Sequence, residues 1–194
     1  TRRTVCTTSG TFTTDSVTTK VRLSGCGAGG SGGFSSSIGA AAGGGSGAWC
    51  KDLEVDVLPD TTYSIVIGSP AYPNAGSTSF GALVDLGGGE KGTETGSQDV
   101  VATGGVGGQT VTSGAWPGQC GAPAFQGSGT PTGASWCGVG GSNPFGIGGA
   151  VNGVGSLTGN EFRPSGYGSG GCGAWSTMAP NRITGRPGLL IVEY

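Results

Sequence analysis

The chain of 194 residues carries 46 glycines, 9 Lys/Arg against 11 Asp/Glu, and no histidine. Glycine costs about 1 kcal/mol per helical position relative to alanine, so a helical bundle and a helix-rich α/β enzyme are excluded. The missing histidine removes Ser-His-Asp and Cys-His nucleophiles, His-ligated metal sites and the usual general base near neutral pH. A net charge of -2 with scattered cations speaks against a nucleic-acid partner.

The start, Thr1-Arg2-Arg3-Thr4, has no initiator Met and no signal-type apolar stretch, so residues 1–10 read as a connecting segment at a cut boundary. Residues 11–194 read as one domain. Strands are expected at about 11–24, where Val17, Thr19, Val21 and Leu23 alternate with Thr18, Lys20 and Arg22. A Gly-rich segment from Gly25 to Gly47 follows. Two more strands are expected within 51–67, Lys51 to Leu58 and Thr62 to Ile67, joined as a hairpin through Pro59-Asp60-Thr61.

From 68 to 187 the pattern dissolves into Gly, Ser, Ala, Pro and isolated aromatics, with brief strands at most around Thr78–Val84 and Gln109–Thr112. Leu189-Leu190-Ile191-Val192 closes the chain as a buried strand within 188–193. No apolar run approaches 18 residues, so no membrane-spanning helix is expected.

Glycine at this density needs a purpose. A flexible linker does not carry Trp, Phe and Cys at intervals. Collagen needs glycine at every third position in one phase, and here the phase changes from run to run. Polyproline-II helices without side chains on their inward faces fit better, because close packing lets N–H and C=O groups pair between neighbours. The expected fold is therefore all-β with little or no helix: a small antiparallel β-sandwich base plus a glycine-rich, polyglycine-II-like region dominated by loops.

Several motifs carry less than they promise. Gly25-Cys26-Gly27-Ala28-Gly29-Gly30 matches a dinucleotide-binding pattern, yet no helix can follow it in Ser31 to Ala48. Asp52, Glu54 and Asp56 alternate along one strand, as a solvated face, a calcium site or carboxylates for catalysis. Six cysteines (Cys6, Cys26, Cys50, Cys120, Cys137 and Cys172) permit three disulfides in 15 pairings, or free thiols. With no CxxC spacing, a structural zinc site has no support. Each of the four Trp (Trp49, Trp116, Trp136, Trp175) follows small residues and has a Cys nearby. That echo fits a shared packing role against the glycine layers, or exposure for ligand contact.

Taken in order, several phrases resemble the glycine-rich domain at the C-terminal tip of bacteriophage tail fibres. They are Ser9-Gly10-Thr11-Phe12-Thr13, Val17 to Val21 entering a Gly-rich run, Gly47-Ala48-Trp49-Cys50, and Thr62 to Gly68. Thr78-Ser79-Phe80-Gly81, Gly87-Gly88-Gly89 and the closing Gly188-Leu189-Leu190-Ile191-Val192-Glu193-Tyr194 complete the set. Asp60 after Pro59, Ser69-Pro70 after Gly68 and the six cysteines depart from that pattern.

The resemblance implies a virion protein at the distal, extracellular end of a tail fibre. It implies a non-enzymatic adhesin without cofactor or metal, whose partners are a bacterial cell-surface receptor (an outer-membrane protein or a glycan) and other tail-fibre subunits. A homotrimer and a monomer mounted on a trimer both fit. Aromatics and Arg carry much of the energy at interfaces, which makes Trp116, Phe125, Trp136, Phe145, Phe162, Arg163, Tyr167 and Trp175 the candidate receptor contacts. A structural or assembly protein of the virion and an ice-binding protein built on polyglycine-II helices are the alternatives.

Overall fold

The computed structural model describes residues 1–35, 39–95, 101–126, 135–150, 163–175 and 183–194. Among them there is no helix. The strands are β1 (Arg3–Cys6), β2 (Gly10–Thr13), β3 (Lys20–Cys26), β4 (Phe34–Ser35), β5 (Trp49–Asp56), β6 (Thr62–Val66), β7 (Thr78–Phe80), β8 (Val84–Leu86), β9 (Phe125–Gln126), β10 (Ser135–Trp136), β11 (Ala174–Trp175) and β12 (Leu189–Glu193).

Two antiparallel sheets form the base, with strand orders β1-β12-β3-β5 and β2-β6-β7-β8. Alternation along β3 buries Val21 and Leu23 and leaves Lys20 and Arg22 in water. Their apolar face meets Phe12, Ile65, Phe80, Val84 and Leu86 of the other sheet, with Leu190 and Val192 of β12 between them. Phe80 stacks on Tyr63 at 4.9 Å, and Phe12 meets Tyr194 edge-on at 5.0 Å. The expected sandwich is therefore present.

Two details differ from the sequence reading. Residues 3–6 are a strand, not a connector: β1 pairs with β12 from Arg3↔Glu193 to Cys6↔Leu190. And β5 and β6 do not form a hairpin. β5 pairs with β3, β6 pairs with β2 and β7, and residues 57–61 carry the chain from one sheet to the other. Val57 is buried at that corner, and Asp60 takes a positive φ of 49°. The buried Thr14 hydroxyl donates to the carbonyl of Leu58 and accepts from the Thr61 amide at 2.9 Å, tying the corner to β2. A further turn lies inside the expected 78–84 strand, where Gly81 at φ 52° separates β7 from β8. Residues 109–112 are not a strand.

Beyond the sheets the glycine-rich stretches run as rods whose hydrogen-bond partners repeat every three residues, the period of a polyproline-II helix. Residues 39–48 are the central rod, buried along their whole length. Their amides donate in three phases: Ala42, Gly45 and Ala48 to Thr93, Glu90 and Gly87, Gly43 and Ser46 to Ala122 and Gln119, Gly44 and Gly47 to Gly171 and Gly168. Their carbonyls accept in three others. Ala42, Gly45 and Ala48 accept from Gly33, Gly30 and Gly27, Gly43 and Ser46 from Gly105 and Gly108, Ala41 and Gly44 from Gly138 and Gly141. Six rods thus surround the central one.

The ring closes on itself in the order 27–33, 87–95, 101–108, 117–124, 137–141, 168–174. Bonds such as Gly92 to Ser31, Glu90 to Val106, Gly121 to Gly105, Ala122 to Val139, Gly170 to Gly141 and Gly171 to Gly30 join successive members. A Cβ on Gly43, Gly44 or Gly45 would drive into carbonyl oxygens of three different rods, at Val139, at Gly30 and Ser31, and at Val106. Backbone pairing carries most of the cohesion of this layer, and glycine stands where a Cβ would meet a neighbouring carbonyl, with alanine or Ser46 where a methyl group has room.

Candidate functional site

The sheets and rods give the molecule two unlike ends. At the sheet end Arg2 and Tyr194 exchange backbone hydrogen bonds of 2.6 and 3.0 Å. An open depression of about 190 Å³ lies there among Lys20, Arg22, Glu54 and Glu193. Lys20 is paired with Glu54, and Arg3 approaches Glu193 at 3.9 Å. The shared hydrogen bond raises the Lys20 pKa and lowers that of Glu54. These charges pair with one another in solvent. Asp52, Glu54 and Asp56 are exposed, as a solvated face would be, and no metal-holding cluster occurs among the described residues.

At the far end four connections between rods leave side by side. Their described flanks are Ser35 and Gly39, Thr95 and Val101, Gln126 and Ser135, and Trp175 and Ile183. β4 and β11 pair there in parallel (Trp175↔Ser35), as do β9 and β10 antiparallel (Trp136↔Phe125). The Ser35 hydroxyl donates to the Thr95 carbonyl at 3.2 Å, and the Thr95 hydroxyl accepts from the Ala40 amide at 2.9 Å. Beneath them Ala40, Ala42, Ala102 and Ala124 form a buried cluster, so methyl groups cap the lattice where the rods end.

The candidate contacts separate along this axis. Phe125, Trp136 and Trp175 lie on strands at the far end; their side chains fall outside the described part of the structure, as does Phe162 entirely. Arg163 is exposed on the flank. Phe145 and Tyr167 are half-buried and pack, with Trp49, on Cys26, Leu189 and Ile191 where sheet meets rods. Trp116 is 59% exposed, but at that same junction. It exchanges backbone bonds of 2.9 and 2.8 Å with Trp49, and the two rings stack at 6.0 Å. The Trp echo thus does not give four equivalent environments.

No disulfide joins the six cysteines. Cys120 is exposed, Cys6 and Cys137 are half-buried, and Cys26, Cys50 and Cys172 are buried. Burial pushes the thiols of Cys26 and Cys172 up to about 12 and that of Cys50 to about 11, so these three are not poised as nucleophiles. Cys26 and Cys50 sit on adjacent strands but belong to apolar clusters on opposite faces of the sheet.

No residue between Asp99 and Glu161 is charged. Rods 101–108, 117–124, 137–141 and 146–150 all come from that stretch and lie next to one another in the bundle.

No protein-family model matches the chain, and no curated relative does.

Proposed function

We propose that this domain is the receptor-binding tip of a bacteriophage tail fibre, a non-enzymatic adhesin that engages a structure on the bacterial surface. The observation that carries the reading is the convergence of four rod connections at one end, remote from both sheets. A rigid backbone lattice fixes the spacing of the rod ends that flank those connections, and binding residues concentrate on segments that join rigid elements. Phe34, Phe125, Trp136 and Trp175, residue types that anchor interfaces, stand at the roots of three of the four. The absence of histidine and the mutually paired charges at the sheet end support a binding rather than a catalytic role.

The test is binding of the labelled, purified domain to a panel of bacterial cells, with competition against phage. Saturable binding to a narrow set of hosts that blocks adsorption is expected. A folded domain that binds no cell would end this reading and favour an assembly role in the virion.

A further inference from the structure

We infer that Thr95 and Ser35 are positioning residues of the far end. Their hydroxyls lock the roots of three of its four connections into one rigid unit, so that the partner is held across that unit rather than by a single connection. The inference rests on the reading of this end as the binding end, and goes further by naming the side chains on which that binding depends. Thr95 closes rod 87–95 and grips the central rod at two points. Its amide donates to the Ala40 carbonyl and its hydroxyl accepts from the Ala40 amide, both at 2.9 Å. Its carbonyl accepts from the buried Ser35 hydroxyl at 3.2 Å. A Cβ on Gly39 would run into that carbonyl and that hydroxyl.

The bond pattern of the central rod shows what the Thr95 hydroxyl changes. The Ser46 and Gly43 amides donate to Gln119 and Ala122. The same step of three would take the Ala40 amide to residue 125, at the root of the connection between Gln126 and Ser135. It goes to Thr95 instead. The end of the central rod is thereby committed to one group of connections. β4 carries the link onward: the Phe34 amide donates to the Glu94 carboxylate at 3.4 Å, and Phe34 and Ser35 pair with Ala174 and Trp175. Ser35 and Gly39, Thr95 and Trp175 thus flank three connections and share one network. Gln126 and Ser135 pair with each other in the β9–β10 hairpin, and backbone bonds between Ala102 and Ala124 tie that hairpin's rod to rod 101–108.

Side chains matter here because the lattice is ending. Inside it, the amides of residues 42–48 all find carbonyls on neighbouring rods. At the end of the central rod that supply stops, and a hydroxyl takes over as acceptor. A site spread over several connections gains affinity only if their spacing is set before the partner arrives, since ordering them on contact costs free energy. Without the Thr95 hydroxyl the Ala40 amide loses its acceptor and the three roots can shift, while the rods behind them keep their backbone bonds.

Equilibrium binding of the labelled domain to a susceptible bacterium reads the claim in four variants, each with its melting temperature. Thr95→Val removes the hydroxyl and keeps the shape, and Thr95→Ser restores it. Ser35→Ala removes the second hydroxyl, which covers a Thr95→Val that folds poorly. Thr93→Val is the control. Two residues back on the same rod and away from the roots, the Thr93 hydroxyl donates to the Thr103 carbonyl at 3.0 Å and accepts from its amide at 2.7 Å. Thr95→Val and Ser35→Ala should raise the dissociation constant at least tenfold. Thr95→Ser should return it to within about threefold of wild type, and Thr93→Val should leave it unchanged. Thr95→Val and Ser35→Ala that bind like wild type overturn the inference alone. So does a loss in Thr93→Val as large as in Thr95→Val, since binding would then follow stability and not position. A wild-type domain that binds no cell overturns the reading of the far end, and this inference with it.

Discussion

The Gly44 amide donates to the Gly171 carbonyl at 2.8 Å, while the Gly44 Cα faces the carbonyls of Gly30 and Ser31 with no room for a methyl group. Gly39, Gly43, Gly45 and Gly47 of the same rod stand in like relation to carbonyls of neighbouring segments. Gly44→Ala should therefore cost about 3 kcal/mol or more, since only backbone is there to give way. Gly10→Ala, on edge strand β2 with nothing within 4 Å of the added carbon, should be near neutral. Urea unfolding of both variants compares them directly.

Ser46 is the one polar side chain of that rod. Its hydroxyl donates to the Ser142 carbonyl at 3.0 Å and accepts from the Gln119 amide at 2.8 Å, linking three rods. Ser46→Ala would strand a buried amide, a loss of about 1–3 kcal/mol. Ser46→Gly should be no better, which separates the lost hydroxyl from any effect of packing volume.

How much of this was legible in the sequence varies by element. β3 and β12 announce themselves by alternation and by a compact apolar run, and the rods by local glycine runs whose phase changes. Which strands pair is set by contacts far apart in sequence, so Pro59-Asp60 reads as a hairpin turn although it crosses between sheets. β1 is missed because Arg3-Thr4-Val5-Cys6 is half-exposed at a sheet edge and has no apolar face to reveal it. Of the candidate contacts, residue type alone could not separate Phe145 and Tyr167, packed at the junction, from exposed Trp116. The lack of charge from residue 100 to 160 lies in the sequence as well, but it means nothing until the rods are laid side by side.

The thiols give an alkaline limit. Folding holds Cys26, Cys50 and Cys172 neutral above the ordinary thiol value of about 8.5. Their contribution is complete below that pH and is lost as pH rises through about 11 and 12. Stability should fall between about pH 9 and 12, at up to roughly 1.4 kcal/mol per pH unit for each thiol. Alkylation at pH 8 should modify Cys120 first, with these three reacting only on unfolding. Denaturation midpoints against pH and peptide mapping check both.

Asp15 acts in the opposite direction. Its carboxylate accepts from the Thr18 hydroxyl at 2.6 Å and from the amides of Thr18 and Val17 at 2.8 and 3.1 Å. The hydroxyl bond is the main cause of its lowered pKa. The stabilisation is present above the ordinary value of about 3.9 and lost as pH falls through the depressed one. Asp15→Asn should melt below wild type at pH 7, and the two should converge near pH 2.

The central claim is that binding occurs at the end where the rod connections leave. Equilibrium binding of labelled domain to a susceptible bacterium tests it, with Trp136→Ala and Trp175→Ala at that end set against Trp116→Ala at the sheet junction. The account predicts that one or both far-end variants lose at least tenfold in affinity at unchanged melting temperature, while Trp116→Ala binds like wild type. Loss in Trp116→Ala alone, with both far-end variants binding normally, would contradict it.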